Sequence, residues 1–136
     1  MKRINKILTP VVIALLLFAT GCEKTEPVIS TADRDKFIGN WHGVSSGPGG
    51  TRNFNMTIRA SNSAPDQVLM ENFDGSGTGT YVNASVTGST ITIISTLISG
   101  ERYEGSGTLS GTRITFSFTI DDGQTLENRT ANADKI

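Results

Sequence analysis

Apolar and polar residues alternate along most of the chain after residue 40, with the two-residue period of β-strands. Phe54, Met56 and Ile58, for example, are separated by polar residues. Because successive side chains of a strand point to opposite faces, this pattern predicts strands with one buried face. Eight such segments follow one another at a spacing of roughly ten residues, which favours an antiparallel meander, either a barrel or a sandwich. They lie near 40–46, 52–60, 66–73, 79–87, 90–96, 101–110, 113–120 and 124–132.

Two hairpins can be predicted at the level of residue pairs. The first has Gly88-Ser89 as a two-residue turn, with glycine at the position that requires a positive φ. This register places apolar residues on one face and threonine or serine on the other, as a half-buried hairpin requires. The predicted pairs on the apolar face are Val86 with Ile91, Ala84 with Ile93 and Val82 with Ser95.

The second hairpin turns at Gly111-Thr112 and has the same facial pattern. In it, each central phenylalanine faces a glycine on the opposite strand, so the ring can cover bare backbone. The predicted pairs are Leu109 with Ile114, Gly107 with Phe116, Gly105 with Phe118 and Tyr103 with Ile120.

The segments before and after these hairpins set the limits of the domain. Residues 33–36 can form one helical turn capped by Asp33. The last strand has few apolar residues after Leu126, so it is either an edge strand or a strand with a polar inner face. The prediction is a small eight-stranded meander barrel over 34–136, preceded by one short helical turn.

The first 21 residues have the organisation of a signal peptide. Lys2, Arg3 and Lys6 precede an apolar stretch from Ile7 to Ala19. That stretch is too short to span a bilayer comfortably. Residues 1–21 are therefore expected to direct export.

The small residues Ala19-Thr20-Gly21 before Cys22 resemble the lipobox of bacterial lipoproteins, with Ala19 in place of the usual leucine. The resemblance implies lipid, including palmitate, on Cys22 and anchoring in the cell envelope. The outer membrane is the expected site, with its periplasmic or outer side left open. More than one acyl chain anchors a protein stably. Cys22 is the only cysteine, so no internal disulfide is expected, and the polar residues 22–33 are expected to be a flexible tether.

Charge argues against a nucleic-acid partner. The whole chain has a formal net charge of −1, with 12 basic and 13 acidic residues. Without Lys2, Arg3 and Lys6 the balance is more negative, near −4. Binding to phosphates requires a basic surface, which this composition does not supply.

Gly39 and Trp41, at the start of the first predicted strand, resemble the G-x-W motif of lipocalins and of short lipocalin-like domains in bacterial lipoproteins. The resemblance implies a barrel in which the tryptophan closes one end, and Arg129 is placed to pack across it. It also implies a binding module for a small apolar ligand. The chain is shorter than a full lipocalin, and the same side chains would serve equally well as a filled core. The residues expected to line the ligand site are Trp41, Phe54, Met56, Phe116 and Phe118.

A second resemblance supports an alternative function. Ser99-Gly100 followed by Tyr103 matches the S-G-x-x-Y loop of periplasmic lysozyme inhibitors. It implies a protein-interaction module in which Ser99 and Tyr103 contact a protein partner. The second motif of that family is absent, and the hairpin register above places Tyr103 on the apolar face.

Residues for catalysis or metal binding are few. His42 is the single histidine, and no serine or cysteine lies in a nucleophile motif. One histidine without a second thiol disfavours a zinc site. Asp121-Asp122-Gly123 is expected to be a turn between strands rather than a calcium loop. We expect no enzymatic activity, no cofactor and no metal.

Overall fold

The structure, a computed structural model, describes residues 31–136. The predicted signal peptide, Cys22 and the tether up to residue 30 lie outside the described residues. A short helix α1 precedes eight strands, and one turn of 3-10 helix follows β3. The elements are α1 (Thr31–Asp35), β1 (Gly39–Gly47), β2 (Gly50–Ala60), β3 (Gln67–Glu71), the 3-10 turn (Phe73–Gly75), β4 (Tyr81–Thr87), β5 (Thr90–Ile98), β6 (Glu101–Ser110), β7 (Arg113–Asp121) and β8 (Leu126–Lys135).

The eight strands form a closed antiparallel barrel in sequence order. Each strand pairs with the next, and β8 pairs with β1 to close the sheet. The predicted meander barrel is therefore confirmed, and the sandwich is not. Because the sheet is closed, the last strand β8 is not an edge strand. Its inner face carries small and polar residues, with Arg129, Ala131 and Ala133 buried.

The end of the barrel that carries α1 is here called the lower end. Helix α1 begins at Thr31, so it includes the last three residues of the predicted tether, and Asp33 lies within it. Phe37 and Trp41 are fully buried at this end, and the Trp41 indole N–H donates to the Phe37 carbonyl at 2.8 Å. A tryptophan thus closes one end of the barrel, as expected.

The cation that lies over Trp41 is Lys135, not Arg129. The Lys135 ammonium is 5.3 Å from the centroid of the indole ring, and Lys135 is the register partner of Trp41 on β8. The prediction for Arg129 was wrong because β8 extends to Lys135, three residues beyond the predicted end. Arg129 consequently lies near the opposite end of the barrel.

The two predicted hairpins are largely confirmed. All four pairs predicted across the Gly111-Thr112 turn are present. At the Gly88-Ser89 turn, Val86 pairs with Ile91 and Ala84 with Ile93, but the pairing of Val82 with Ser95 is absent. An irregularity in β5 between Ile93 and Thr96 shifts the register. The prediction did not include this shift, because the alternation of apolar and polar residues does not reveal an extra residue in a strand.

Three phenylalanines cover glycines on neighbouring strands. Phe116 and Phe118 face Gly107 and Gly105, as predicted, and Phe54 faces Gly43 in the same way. A Cβ atom added at Gly43 would lie 2.3 Å from a ring atom of Phe54. The glycine is therefore required by space.

We expect Gly43→Ala to lower the free energy of unfolding by about 1–3 kcal/mol, because the methyl group would overpack the barrel against Phe54. Ser46→Ala, at an exposed position of the same strand, is the matched control and should change stability little. Urea unfolding of both variants measures the difference. Equal stability of the two variants would contradict the packing argument.

Candidate functional site at the upper mouth

The other end of the barrel, here called the upper mouth, is formed by the turns after β1, β5 and β7 and by residues 72–80. Residues 72–80 connect β3 to β4 and are called the plug segment. The sequence pattern predicted residues 66–73 as one strand, but β3 ends at Glu71. The chain then turns into the barrel, so Phe73 enters the interior instead of continuing the sheet.

Phe73 fills the upper mouth. Its side chain is fully buried and meets four other rings edge to face. The centroid distances are 4.8 Å to Phe118, 5.0 Å to Phe116, 6.0 Å to Phe54 and 6.4 Å to Tyr103. The mouth is therefore lined by aromatic side chains of the strands and occupied by one from the plug segment.

The backbone on both sides of Phe73 is left-handed. Asn72 has φ 58° and Asp74 has φ 54°. Asparagine and aspartate tolerate this region better than other residues with side chains, at a cost of order 1 kcal/mol each. Two such residues around one inserted side chain indicate that the insertion is held in place by the surrounding contacts.

Asn72 attaches the plug segment to the barrel. Its side-chain amide donates to the Asn55 carbonyl on β2 at 2.8 Å, and its side-chain oxygen accepts from the Gly77 N–H at 2.9 Å. On the strand side, Glu71 accepts a hydrogen bond from Gly79 N–H at 3.0 Å and pairs with Arg59 at 2.7 Å. These contacts position the base of the segment.

Asp74 is the second buried residue of the plug segment. One carboxylate oxygen accepts a hydrogen bond from the Ser45 hydroxyl. The other accepts from Arg52 Nη1 at 2.7 Å and lies 3.3 Å from Arg129 Nε. Its three partners are on β2, β1 and β8, so this carboxylate is bound by the barrel wall and not by its own loop.

Arg129 is the cation at the centre of this cluster, and its side chain is fully buried. Nη2 donates to the Ser45 hydroxyl and to the Gly50 carbonyl, both at 3.0 Å, and Nη1 donates to Glu127 at 2.5 Å. Nε has no hydrogen-bond partner among the described residues, although an Asp74 oxygen lies 3.3 Å away. Two arginines and two carboxylates thus balance one another.

The charged cluster reaches solvent at its rim. The Arg52 side chain is 37% exposed and that of Glu127 is 19% exposed. The Gly49 N–H, which donates to Glu127 at 2.8 Å, holds the pKa of this carboxyl below its usual value against the opposing effect of burial, with a further contribution from Arg129. Burial raises the pKa of Tyr103 beyond its ordinary range, and nearby Glu101 adds to this.

The structure places the five predicted ligand-site residues in two groups, and all five are buried. Phe54, Phe116 and Phe118 surround Phe73 at the upper mouth. Trp41 and Met56 face each other across β1 and β2 toward the lower end. Only the first group lies at a mouth that a loop side chain occupies.

Ser99 and Tyr103, the two residues of the resemblance to lysozyme inhibitors, lie in different surroundings. Ser99 lies in the exposed turn between β5 and β6, with φ 51°, whereas Tyr103 points into the barrel and donates to Glu101 at 3.1 Å. His42 is on the outer face, 2.9 Å from Asn55. Asp122 accepts the N–H groups of Gln124 and Thr125, which confirms the predicted turn.

A polar groove runs outside the barrel wall under the plug segment. It has a volume of about 430 Å³ and is lined by His42, Asn53, Phe54, Asn55, Asn72, Gly75 and Thr78.

Among the described residues, no cluster of three or more histidine, cysteine or acidic side chains could hold a metal ion. None of the helices in that part of the chain is long and apolar enough to cross a membrane.

Reasoning from the sequence missed Phe73 and the charged cluster. One signal was available, because Phe73 and Asp74 are followed by the glycine-rich run Gly75 to Gly79. Such a run favours a loop over a strand, and a phenylalanine at its start must be buried somewhere.

No protein-family model and no curated protein matches the chain. Among solved structures, EF1p2_mFAP2b bound to DFHBI is similar, with 15% identity, a TM-score of 0.57, and coverage of 78% of this chain and 98% of that one. A Bacteroides fragilis NCTC 9343 protein, provisionally named an outer membrane protein, aligns with 17% identity and a TM-score of 0.44. That alignment covers 75% of this chain and 52% of the other. The first likeness shows the barrel fold.

We expect Glu127→Gln to reduce the pH dependence of the free energy of unfolding in the acidic range. A carboxyl whose pKa is lower in the folded than in the unfolded state stabilises the fold above the unfolded value, about 4.3. That stabilisation is lost as pH falls through the folded-state pKa. The variant should therefore be less stable than the wild type at neutral pH and lose less of its free energy of unfolding between about pH 5 and pH 2.

Urea unfolding at several pH values makes this comparison. Glu104→Gln removes an exposed carboxylate from the outer face of β6 and is the control for a change in net charge. Identical pH profiles for the wild type and Glu127→Gln would contradict the role assigned to the Gly49 and Arg129 contacts.

Proposed function

We propose that the protein is a lipid-anchored, lipocalin-like binding protein of the cell envelope that takes a small apolar ligand at the upper mouth, and that it is not an enzyme. The observation that carries the proposal is the placement of Phe73. A loop side chain occupies a ring-lined space between rigid strands, and the loop backbone is left-handed on both sides of it. Ligand sites are concave, mostly apolar and built from such surfaces.

Binding at this place requires Phe73 to leave, because its buried ring occupies the space among its four neighbouring rings. The hydrogen bond from Asn72 to Asn55 holds the start of the plug segment. Gly75, Gly77 and Gly79 allow the rest to change its backbone conformation once the hydrogen bonds of Gly77 and Gly79 break. Segments of this kind open on the microsecond to second timescale. DFHBI bound to the similar barrel gives an example of a small ligand bound by this fold.

The proposed anchor lies at the other end of the barrel. Helix α1 packs against β4, which ends at the turn between β4 and β5. Helix α1 begins nine residues after Cys22, and it leads the chain into the barrel at the lower end. With lipid on Cys22, the upper mouth would be the end of the barrel opposite the attachment of the anchor.

The alternative proposal is a protein-interaction module that uses the turn between β5 and β6. The observation in its favour is Leu97, which is 67% exposed close to Ser99. Tyr103 would take no direct part in such a contact, because its ring is buried. The lysozyme-inhibitor form of the proposal is weakened accordingly.

We expect Phe73→Ala to bind N-phenyl-1-naphthylamine, a neutral apolar dye, at least about tenfold more tightly than the wild type. The ligand then no longer competes with an internal side chain, so the binding-competent fraction rises. Dye fluorescence measures the affinity. In the wild type, binding should also increase hydrogen exchange of the amides in residues 72–80.

Phe37→Ala is the matched control, since it removes a buried ring from the lower end. It should give no comparable gain in affinity. The proposal fails if neither the wild type nor Phe73→Ala binds the dye, or if Phe37→Ala gains as much as Phe73→Ala.

We also expect Cys22→Ser to abolish lipidation. Cells that express the wild type and are supplied with labelled palmitate should incorporate the label into the protein, and the variant should not. The variant should also leave the lipid-anchored membrane fraction. Label retained by Cys22→Ser would contradict the assignment of Cys22.

A further inference from the structure

Phe73 and Asp74 are neighbours in sequence and occupy adjoining parts of the upper mouth, one among rings and the other among cations. We infer that the ligand of this mouth is a small apolar carboxylate. Its ring takes the place of Phe73, and its carboxylate takes the place of Asp74 on Arg129, Arg52 and Ser45. The inference rests on the proposed function, since it identifies the chemical class of that ligand.

The donors that hold Asp74 belong to the barrel wall. Ser45 is on β1, Arg52 on β2 and Arg129 on β8. Because strands are more rigid than loops, the backbone positions that carry these donors do not move away with the plug segment. The departure of Asp74 thus leaves a preformed anion site.

Charge selects for an anionic ligand at this site. With Asp74 in place, two carboxylates balance Arg52 and Arg129. Without it, Glu127 alone faces two arginines, one of which is fully buried. A buried charge without its partner is strongly unfavourable. A neutral ligand that expelled the plug segment would leave this imbalance, whereas a carboxylate corrects it.

Arg129 Nε gives an independent indication. It is buried and has no hydrogen-bond partner among the described residues, although an Asp74 oxygen lies 3.3 Å away. Because the Asp74 side chain is attached to the backbone of the plug segment, its carboxylate cannot turn freely. A free carboxylate can rotate so that one oxygen accepts from Nε, a charge-assisted hydrogen bond that Asp74 does not make.

The apolar part of the ligand is limited in size. Below the Phe73 ring, Met56, Ile58 and Trp41 are buried and fill the barrel toward the lower end. A long acyl chain would have to displace them. One ring joined to a carboxylate by a short spacer matches what the plug segment itself inserts.

The test uses the full chain with Phe73→Ala and Asp74→Ala combined, solubilised in mild detergent. Unfolding is followed by the fluorescence of Trp41, the single tryptophan. The probes are 3-phenylpropionate and its neutral analogue 3-phenylpropanamide. The carboxylate should raise the melting temperature saturably and bind at least about tenfold more tightly than the amide. It should also bind this variant at least about tenfold more tightly than the wild type, which carries the internal competitor.

Adding Arg129→Met to the double variant should remove the preference for the carboxylate. If the double variant is unfolded alone, folding that depends on 3-phenylpropionate supports the inference, and Phe73→Ala with Asp74→Asn allows the same comparison. Equal affinities for the two probes overturn the carboxylate site and leave the apolar ligand of the proposed function intact. Binding of neither probe by any variant overturns both.

Discussion

The closed barrel encloses a small interior, and its volume determines which side chains this protein can bury. Such a barrel is just wide enough to be filled by side chains or to hold one small ligand. Here the wall contributes several inward positions with little or no side chain, among them Gly43, Gly105 and Gly107. Phenylalanines on the neighbouring strands cover these glycines, and the remaining space at the upper mouth is filled by Phe73 from a loop.

The limited interior volume also applies to the charged Arg129 side chain inside the barrel. Gly47 leaves room for the Arg129 side chain, since a Cβ at that position would lie 2.7 Å from the arginine Cγ. An arginine inside a barrel must be paired, because its charge cannot be left unsolvated. Glu127 from the same strand and Asp74 from the plug segment supply that pairing. The insertion of Phe73 and the neutralisation of Arg129 are therefore two effects of one loop conformation.

The sequence predicted the barrel because alternation and two-residue turns are local signals. Every residue pair predicted for the hairpin at Gly111-Thr112 is confirmed, and Phe116 and Phe118 lie over glycines as expected. The charged cluster joins Ser45, Asp74 and Arg129, which are far apart in the chain, so no local pattern reveals it. The prediction that Arg129 packs on Trp41 was wrong, because few apolar residues follow Leu126 and the alternation does not reveal that β8 reaches Lys135. Phe73 was included in a strand because its apolar character outweighed the glycines that follow it.

The two ends of the barrel differ in a way that bears on function. The lower end is closed by Phe37 and Trp41, which are continuous with the core and backed by Lys135. The upper mouth is closed by a segment with left-handed residues, three glycines at positive φ and a carboxylate whose partners all belong to the wall. Removing the lower closure would open the core itself. Removing the upper closure would leave a ring-lined space beside a buried cation, so the upper end is the one at which an exchange between loop and ligand is physically possible.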